Sequence, residues 1–510
     1  MSSPWLLRVD AWPEMGTGHV MRCLALAAAW QSAGQRACFV SHCTIDSLRT
    51  RMIETGARLV ALPQPVVDPN EAQSLLAPLL AQGSPSHRPG WLLLDGYHFS
   101  AQWQSLAQRL GLRLLVIDDQ ALWPRYEADL VLNQNHGAQR LEYDCGESTH
   151  LLLGARYVLL RPEFAPWMNW QRDVQPEARR LLVTLGGSDP AGATPKVLEA
   201  LREIRLDGLE VRLIVGPGNP AAQSISDAHN CLRDNVQVLT NVADMAQHMA
   251  WADVAVSAAG TTCWELAFMQ LPALLLIVAD NQRPTARQTA LAGTAENLGP
   301  VEQVFPEQIA AALLGLIHDR TRRCGMALAG RRLVDGRGAQ RVVTLMRAWD
   351  DLLPEQTTIR PAVREDSRPL WRLVNQPSVR RSSLRSGTIP LEEHEAWFTA
   401  RLNGLDARIW VLELEGLLLG QVRYERTEPQ TAEISYSVTT AFRRRGLGTR
   451  LIAQTWRQAA ADLGVRWLRA VVRVENEAST RTFRKLGFDY GGRETVCGHL
   501  CHLFQREVLP

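Results

Sequence analysis

Short apolar runs alternate with stretches of helical period from residue 5 to about residue 348, and no other feature of the chain constrains its fold as tightly. Candidate strands fall at Leu6–Ala11, Ala37–Ser41, Trp91–Asp95, Arg113–Asp118 and Leu130–Asn133. A second set follows at Arg180–Leu185, Glu210–Val215, Val236–Leu239, Val254–Ser257 and Ala273–Val278. Helical patterns such as Val20–Ser32 and Pro195–Glu203 lie between them. A strand followed by a helix returns the chain to run parallel to its start, through a right-handed crossover. The first set ends near Asn133 and the second begins near Arg180, so the pattern predicts two doubly wound lobes facing each other across a cleft, at 1–172 and 173–349. The acidic, proline-containing stretch Asp350–Pro361 reads as a linker at 350–357. Beyond it, 358–510 reads as a separate α+β domain, with a hairpin turned at Glu415-Gly416 and an alternating strand in "AEISYSV".

Charge then narrows the function. The formal net charge is only +2 and charged residues make up 21%, so no general nucleic-acid or membrane-surface partner is expected. The nine cysteines are scattered without a CxxC pair, which reads as free thiols in a reducing, cytoplasmic setting. The N-terminus has no basic start followed by an apolar stretch, and the apolar run Leu271–Ala279 falls far short of the ~20 residues that span a bilayer.

The segment "EMGTGHVMRC" follows the first candidate strand. Gly16 and Gly18 fit a dinucleotide loop, but the third glycine position is Met21 and the next strand ends without an acidic residue. The motif is left as a tight turn or as a loop that presents His19. Polar residues also cluster past other strand ends: Asp95 and Tyr97, Asp118 and Asp119, Asn133 and Asn135. Ligands of open α/β sheets bind outside the carboxyl ends of the strands. In the second lobe, Gly186, Gly187 and Ser188 follow one strand; Gly260, Thr261 and Thr262 separate another from a helix. Backbone N–H groups at such a turn can hold a diphosphate. Glu265 is placed to reach a ribose hydroxyl, and Asn281 closes the next strand facing the same cleft.

Taken in order across residues 5 to about 345, "RVDAWPEMGTGHVMRCLALA", "LLDGYHF", "DLVLNQN", "GARYVLLRPEF", "LVTLGGSDP", "AAGTTCWELAFMQLPALLL" and "ADNQ" closely resemble the UDP-sugar hydrolase family of pseudaminic acid biosynthesis. That family removes UDP from UDP-2,4-diacetamido-2,4,6-trideoxy-β-L-altropyranose. The resemblance implies a glycosyltransferase-B-type pair of Rossmann-like lobes and no metal. It implies a catalytic His19, with Tyr97 and Asn281 in the site and Glu265 on the uridine ribose. Cleavage at the anomeric carbon passes through an oxocarbenium-like state. UDP leaves readily, so the requirement is a base for water, and an imidazole suits that near neutral pH. The reading gives His19 that role, with Asp10 or Tyr97 as its orienting partner and inversion as the outcome. Three alternatives stay open: a glycosyltransferase with an acyltransferase appendage, an enzyme pair for a related sugar such as a legionaminic acid precursor, and a non-catalytic nucleotide-sugar sensor.

The C-terminal domain carries Arg443-x-x-Gly446-x-Gly448 between an alternating strand and an amphipathic helix. Such a turn, with Leu447 and Thr449, lets backbone approach a pyrophosphate, and Arg443, Arg444 and Arg445 suit a further anionic group. Asn476, Ser479, Phe483, Lys485, Gly487 and Phe488 form a second motif 28 residues beyond Gly448, room for one helix and one strand. Together these resemble the GCN5-related N-acetyltransferase family, which implies acetyl-CoA as co-substrate and coenzyme A as product. Many members have a tyrosine at Phe483 that protonates the departing thiolate. Phenylalanine cannot donate, leaving Tyr490, Tyr436 or water. Glu433 is placed to take the amine's proton. "NQPSVRRSSLRSGTIPLEEHEAWF", with His394 and Trp397, is similar to nucleotide-aminosugar N-acetyltransferases of the same pathway, and His394 either binds substrate or packs in the core. The two resemblances imply consecutive steps: acetylation of the 4-amino group, then removal of UDP.

Overall fold

The structure, a computed structural model, describes residues 5–12, 15, 17–81, 90–187, 189, 191–204, 208–216, 219, 235–240 and 242–508. Its contacts divide the chain into two compact units, Met1–Asp144 with His150–Val343, and Cys145–Thr149 with Thr344–Pro510.

The first unit holds two sheets. β1 (Trp5–Val9), β2 (Ala37–Ser41), β3 (Arg58–Ala61), β4 (Trp91–Asp95), β5 (Arg113–Ile117), β6 (Leu130–Asn133) and β7 (His150–Leu153) pair in the order β3-β2-β1-β4-β5-β6-β7, all parallel. β8 (Arg180–Thr184), β9 (Glu210–Val215), β10 (Val236–Thr240), β11 (Val254–Ala258), β12 (Ala273–Ile277) and β13 (Ala295–Pro300) pair in the order β10-β9-β8-β11-β12-β13, again all parallel. Central strands such as WLLRV, WLLLD and VAVSA are buried along their whole length. A sheet covered on both faces needs such unbroken apolar runs. The pleat sends Leu181 and Val183 into one core and Leu182 into the other. Burying each such side chain stabilises the lobe by roughly 1.5–3 kcal/mol.

Each sheet reverses its winding once. In the first, the chain goes from β1 outward to β3, then returns to the other side of β1 as β4. The second does the same between β8 and β11. The loops leaving β1 and β4, or β8 and β11, therefore diverge, and the gap between them is where such sheets accept ligands. Four of the polar motifs picked out in the sequence are the loops after these four strands.

Three edge strands of this unit are absent from the sequence reading. β3 and β13 are edge strands, partly exposed, and β13 reads AENLGP with glycine and proline. β7, HLLL, has only four residues.

The second unit is a mixed sheet. β14 (Thr358–Pro361), β15 (Ala407–Leu414), β16 (Leu417–Glu428), β17 (Thr431–Val438), β18 (Trp467–Arg473), β19 (Asp489–Val496) and β20 (His499–Glu507) pair in the order β14-β15-β16-β17-β18-β20-β19. The β15–β16 hairpin turns at Glu415 and Gly416, both at positive φ (48° and 81°), as a tight two-residue hairpin requires. β17 and β18 are parallel neighbours, yet they pair only from Thr431–Trp467 to Glu433–Arg469 and then separate. The expected linker at 350–357 is taken up by the end of the helix Gly338–Asp351 and the turn Pro354–Gln356.

Two glycines test the packing of the second lobe. A Cβ on Gly330 would lie 2.4 Å from the Ala267 carbonyl oxygen, whereas one on Gly315 would meet nothing within 4 Å. Gly330→Ala should therefore cost about 1–3 kcal/mol by overpacking. Gly315→Ala, inside the helix Pro306–His318, should instead stabilise by up to ~1 kcal/mol. Denaturant unfolding midpoints moving the same way in both variants would contradict this packing.

Candidate functional site

The loop after β1 ends where the helix Gly18–Ser32 begins, which puts His19 in its first turn. The neighbouring strand β4 ends at Asp95, paired in register with Val9 of β1. Asp95 is fully buried, and its carboxylate receives His19 Nδ1 at 2.7 Å and Arg22 Nη2 and Nε at 2.6 Å each. Burial alone would raise the Asp95 pKa; the Arg22 charge and then His19 outweigh it and bring it to about 2. An ionised carboxylate only accepts, so His19 carries its proton on Nδ1 and leaves Nε2 as the basic nitrogen.

Arg22 also reaches across to Asp119, past the end of β5, with Nη1 at 2.6 Å. Asp119 accepts from Asn135 Nδ2 at 3.1 Å and from the Tyr97 hydroxyl at 3.4 Å. Partial burial and the Asp119 charge raise the Tyr97 phenol to about 12, so it is a neutral donor near pH 7. Its ring meets His19 edge-on, with centroids 4.9 Å apart. The remaining polar residues of these loops build turns instead. Asp118 accepts from the Tyr126 hydroxyl and from the backbone of Gln120 and Leu122, and buried Asn133 donates to the Tyr143 hydroxyl at 3.0 Å.

The structure corrects the sequence reading at Asp10. That buried carboxylate is held by Arg8, by His98 Nε2 at 2.9 Å and by the His42 N–H at 2.7 Å, and the carboxylate on His19 is Asp95. Arg22 was missed. Its signal was the i, i+3 spacing from His19, which puts both on one helix face.

The second lobe brings its two glycine turns to the same loop. A Cβ on Gly187 would lie 3.4 Å from Thr17 Oγ1, and one on Gly18 would lie 3.7 Å from Thr261 Oγ1. Gly186 has φ 90°, and Asp189 folds the rest of its turn by accepting from the backbone of Ala193 and Thr194. Thr262 opens the helix Thr262–Phe268, where the Cys263 and Trp264 N–H groups donate back to the carbonyls of Gly260 and Thr261 at 3.1 Å each. Both oxygens of Glu265 are taken by Arg161, at 2.7 and 2.6 Å. Each oxygen has a second lone pair, so a hydroxyl can still be accepted while Arg161 fixes the carboxylate. Asn281 is exposed in the turn Asp280–Gln282, and it is Gln282 Nε2 that lies beside Gly260, 3.8 Å from where its Cβ would be. Gly16 and Ser188 lie outside the described residues.

In the second unit, Glu433 is half-buried where β17 and β18 part. Burial raises its pKa, with Arg469 and Arg423 pulling the other way. Gly446, at φ 77°, caps the start of the helix Leu447–Leu463, and Thr449 sits in its first turn. The Tyr436 ring lies against Gly448, where a Cβ would come within 2.6 Å, and its hydroxyl is 3.0 Å from Ser479 Oγ. Asn476 caps the helix Glu477–Lys485 by accepting from the Ser479 N–H at 3.1 Å.

Several side chains expected at the cofactor have other work. Arg445 donates to the carbonyls of Ala348 and Trp349, Arg443 Nε donates to Val438, and Arg444 is exposed at φ 62°. Leu447 is buried, and Phe483 is enclosed by Tyr436, Phe488 and Phe504. His394 is 3% exposed, stacked on Phe398, with its pKa lowered by burial. Of the two readings left open for it, the structure shows packing. Tyr490 stands outside this group on β19, 3.4 Å from His502.

Residues 181–335 match the glycosyltransferase family 28 C-terminal domain, and residues 356–489 match the acetyltransferase (GNAT) domain. The spore coat polysaccharide biosynthesis protein SpsG of Bacillus subtilis is 27% identical over 221 residues, 43% of this chain and 65% of that protein. The crystal structure of Acinetobacter baumannii MurG superposes with a TM-score of 0.50 at 18% identity, over 68% of this chain and 99% of that one. The structure of yncA from Salmonella typhimurium, solved with its cofactor acetyl-CoA, aligns with 30% of this chain and 94% of its own at 22% identity and a TM-score of 0.27. The two family matches place a glycosyltransferase-28-like domain ahead of a GNAT-type acetyltransferase domain. It spans about half to 65% of the length of the curated relatives it matches. Among the described residues, no group of three or more His, Cys, Asp or Glu could hold a metal ion, and no helix is long and apolar enough to cross a membrane.

The Asp95 cluster makes a stability prediction. Its folded pKa of about 2 lies below the ~3.9 of an unfolded aspartate. The stabilisation is therefore complete above about pH 4 and is lost as pH falls towards 2. Wild type should exceed Asp95→Asn in unfolding free energy most near neutral pH, and the gap should close below about pH 4. A gap independent of pH would contradict the ion pairing.

Proposed function

We propose that the two-lobed unit hydrolyses UDP-2,4-diacetamido-2,4,6-trideoxy-β-L-altropyranose and that the GNAT unit acetylates the 4-amino group of its UDP-amino-sugar precursor. The observation that carries the hydrolase reading is the His19–Asp95 pair, which leaves His19 Nε2 free as a base in a loop facing both second-lobe glycine turns. His19 takes a proton from water as the water attacks the anomeric carbon, on the face opposite the departing UDP. The turns at Gly186-Gly187 and Gly260-Thr261-Thr262 receive the diphosphate on backbone N–H groups. Glu265, set by Arg161, accepts from the ribose, and Tyr97 and Asn281 meet the sugar. The polysaccharide-biosynthesis name of the Bacillus relative fits a sugar-modifying role.

A transferase reading has its own support in the family 28 match and the MurG-like fold. The two part on whether water or a second sugar is the acceptor. Without any acceptor, the hydrolase should release UDP at every turnover, and His19→Ala should cut that release by about 100-fold or more. Retention of activity within tenfold would remove His19 from the chemistry.

In the GNAT unit the parted strands β17 and β18 and the Gly446–Gly448 turn accept acetyl-CoA, with the diphosphate on the backbone at the start of the helix Leu447–Leu463. Glu433, with its raised pKa, takes the proton as the amine nitrogen attacks the thioester carbonyl and the C–S bond breaks. Tyr436, beside the glycine turn, is the better placed of the two tyrosines to protonate the thiolate. Glu433→Gln should lower acetylation by about 100-fold at neutral pH and flatten the acid limb of its pH profile. An unchanged rate and profile would exclude it. Mass spectrometry of the UDP-4-amino sugar with acetyl-CoA and this protein should show free diacetamido sugar and UDP together.

A further inference from the structure

Arg22 is 4% exposed and in contact with two carboxylates from different strand ends. Its Nε and Nη2 close on Asp95, and its Nη1 closes on Asp119. Asp95 Oδ1 is shared, receiving Arg22 Nη2 and His19 Nδ1 from neighbouring positions 3.1 Å apart. Asp119 in turn accepts from Tyr97 and Asn135. One guanidinium thus joins the first turns of the helix Gly18–Ser32 to the loops after β4, β5 and β6.

We propose that Arg22 is the positioning residue of the hydrolytic site, locking Asp95 and Asp119 so that His19 Nε2 and the Tyr97 hydroxyl are presented as one rigid pair. The catalytic consequence rests on the hydrolase reading; the positioning rests on geometry alone. Lysine could not replace Arg22, because a point charge with three donors on one atom cannot span two carboxylates in a fixed fork. Arg22 is also what permits two carboxylates in so enclosed a place, since either one left unpaired would be costly.

The test uses the full-length protein, with Arg22→Lys and Asp119→Asn compared with wild type and His19→Ala. Histidine side-chain 15N spectra, with the His19 signal identified by its loss in His19→Ala, report the tautomer without any turnover. Wild type should show one Nδ1–H tautomer, and Arg22→Lys a mixture. UDP affinity, read by calorimetry, should stay within twofold in both variants, because UDP is held by the second lobe. UDP release should fall by about 30-fold or more in kcat for Arg22→Lys, and less for Asp119→Asn, with KM little changed. A single Nδ1–H tautomer in Arg22→Lys, or kcat within threefold of wild type in a variant that binds UDP normally, would overturn the proposal. Should Arg22→Lys fail to fold, Asp119→Asn decides: unaltered kcat and tautomer overturn the proposal, and a fall in kcat at constant UDP affinity supports it. If His19→Ala remains active, the hydrolase reading fails, and the tautomer result still judges the positioning.

Discussion

A fully buried carboxylate at the end of β4 sets the terms for the first lobe. Asp95 has no access to water, and an unpaired charge there would cost several kcal/mol. Arg22 and His19 supply the compensation, both from the first turns of one helix. They do so from a helix that starts at Gly18, after the strand that pairs with β4. The register of that helix and the placement of His19 therefore answer one electrostatic requirement. The same carboxylate fixes which imidazole nitrogen is free.

The two sheets add a geometric constraint. Each reverses its winding between adjacent parallel strands, and the loops on either side of each reversal carry the polar motifs. Thr17 and Gly18 from one sheet come close to Gly187 and Thr261 of the other. The helix start that carries His19 and the two glycine turns of the second sheet are thereby brought together. The GNAT unit achieves an opening differently, by letting two parallel strands part after three residue pairs and placing Glu433 at the last of them.

Much of the fold was legible because buried parallel strands must be continuously apolar; Ala37–Ser41, Trp91–Asp95, Leu130–Asn133 and Glu210–Val215 lie where the sequence puts them. In the first unit the strands that escaped, β3, β7 and β13, are short or partly polar, because an edge buries less and constrains its residues less. The site was legible in composition but not in pairing. His19, Asp95, Tyr97 and Asp119 stood out as polar residues at strand ends, yet nothing in one dimension says which carboxylate meets which imidazole. Asp10 and Asp95 end adjacent strands and are chemically alike; only the fold assigns His98 to one and His19 to the other. In the GNAT unit, basic and aromatic residues beside the glycine turn suggested ligand contacts, while Arg445 holds helix carbonyls and Phe483 fills the core. A motif's spacing encodes its backbone path more faithfully than the destination of each side chain.

In the proposed hydrolysis, water activated by His19 breaks the bond between sugar and UDP. Turnover of the diacetamido UDP-sugar in 18O-water, with no acceptor sugar present, tests this most directly when read on the UDP, whose phosphate oxygens do not exchange. Attack at the anomeric carbon predicts release of unlabelled UDP and entry of the label into the sugar. Labelled UDP would place the attack at phosphorus, and no release without an added acceptor would make the domain a transferase; either result would contradict the account.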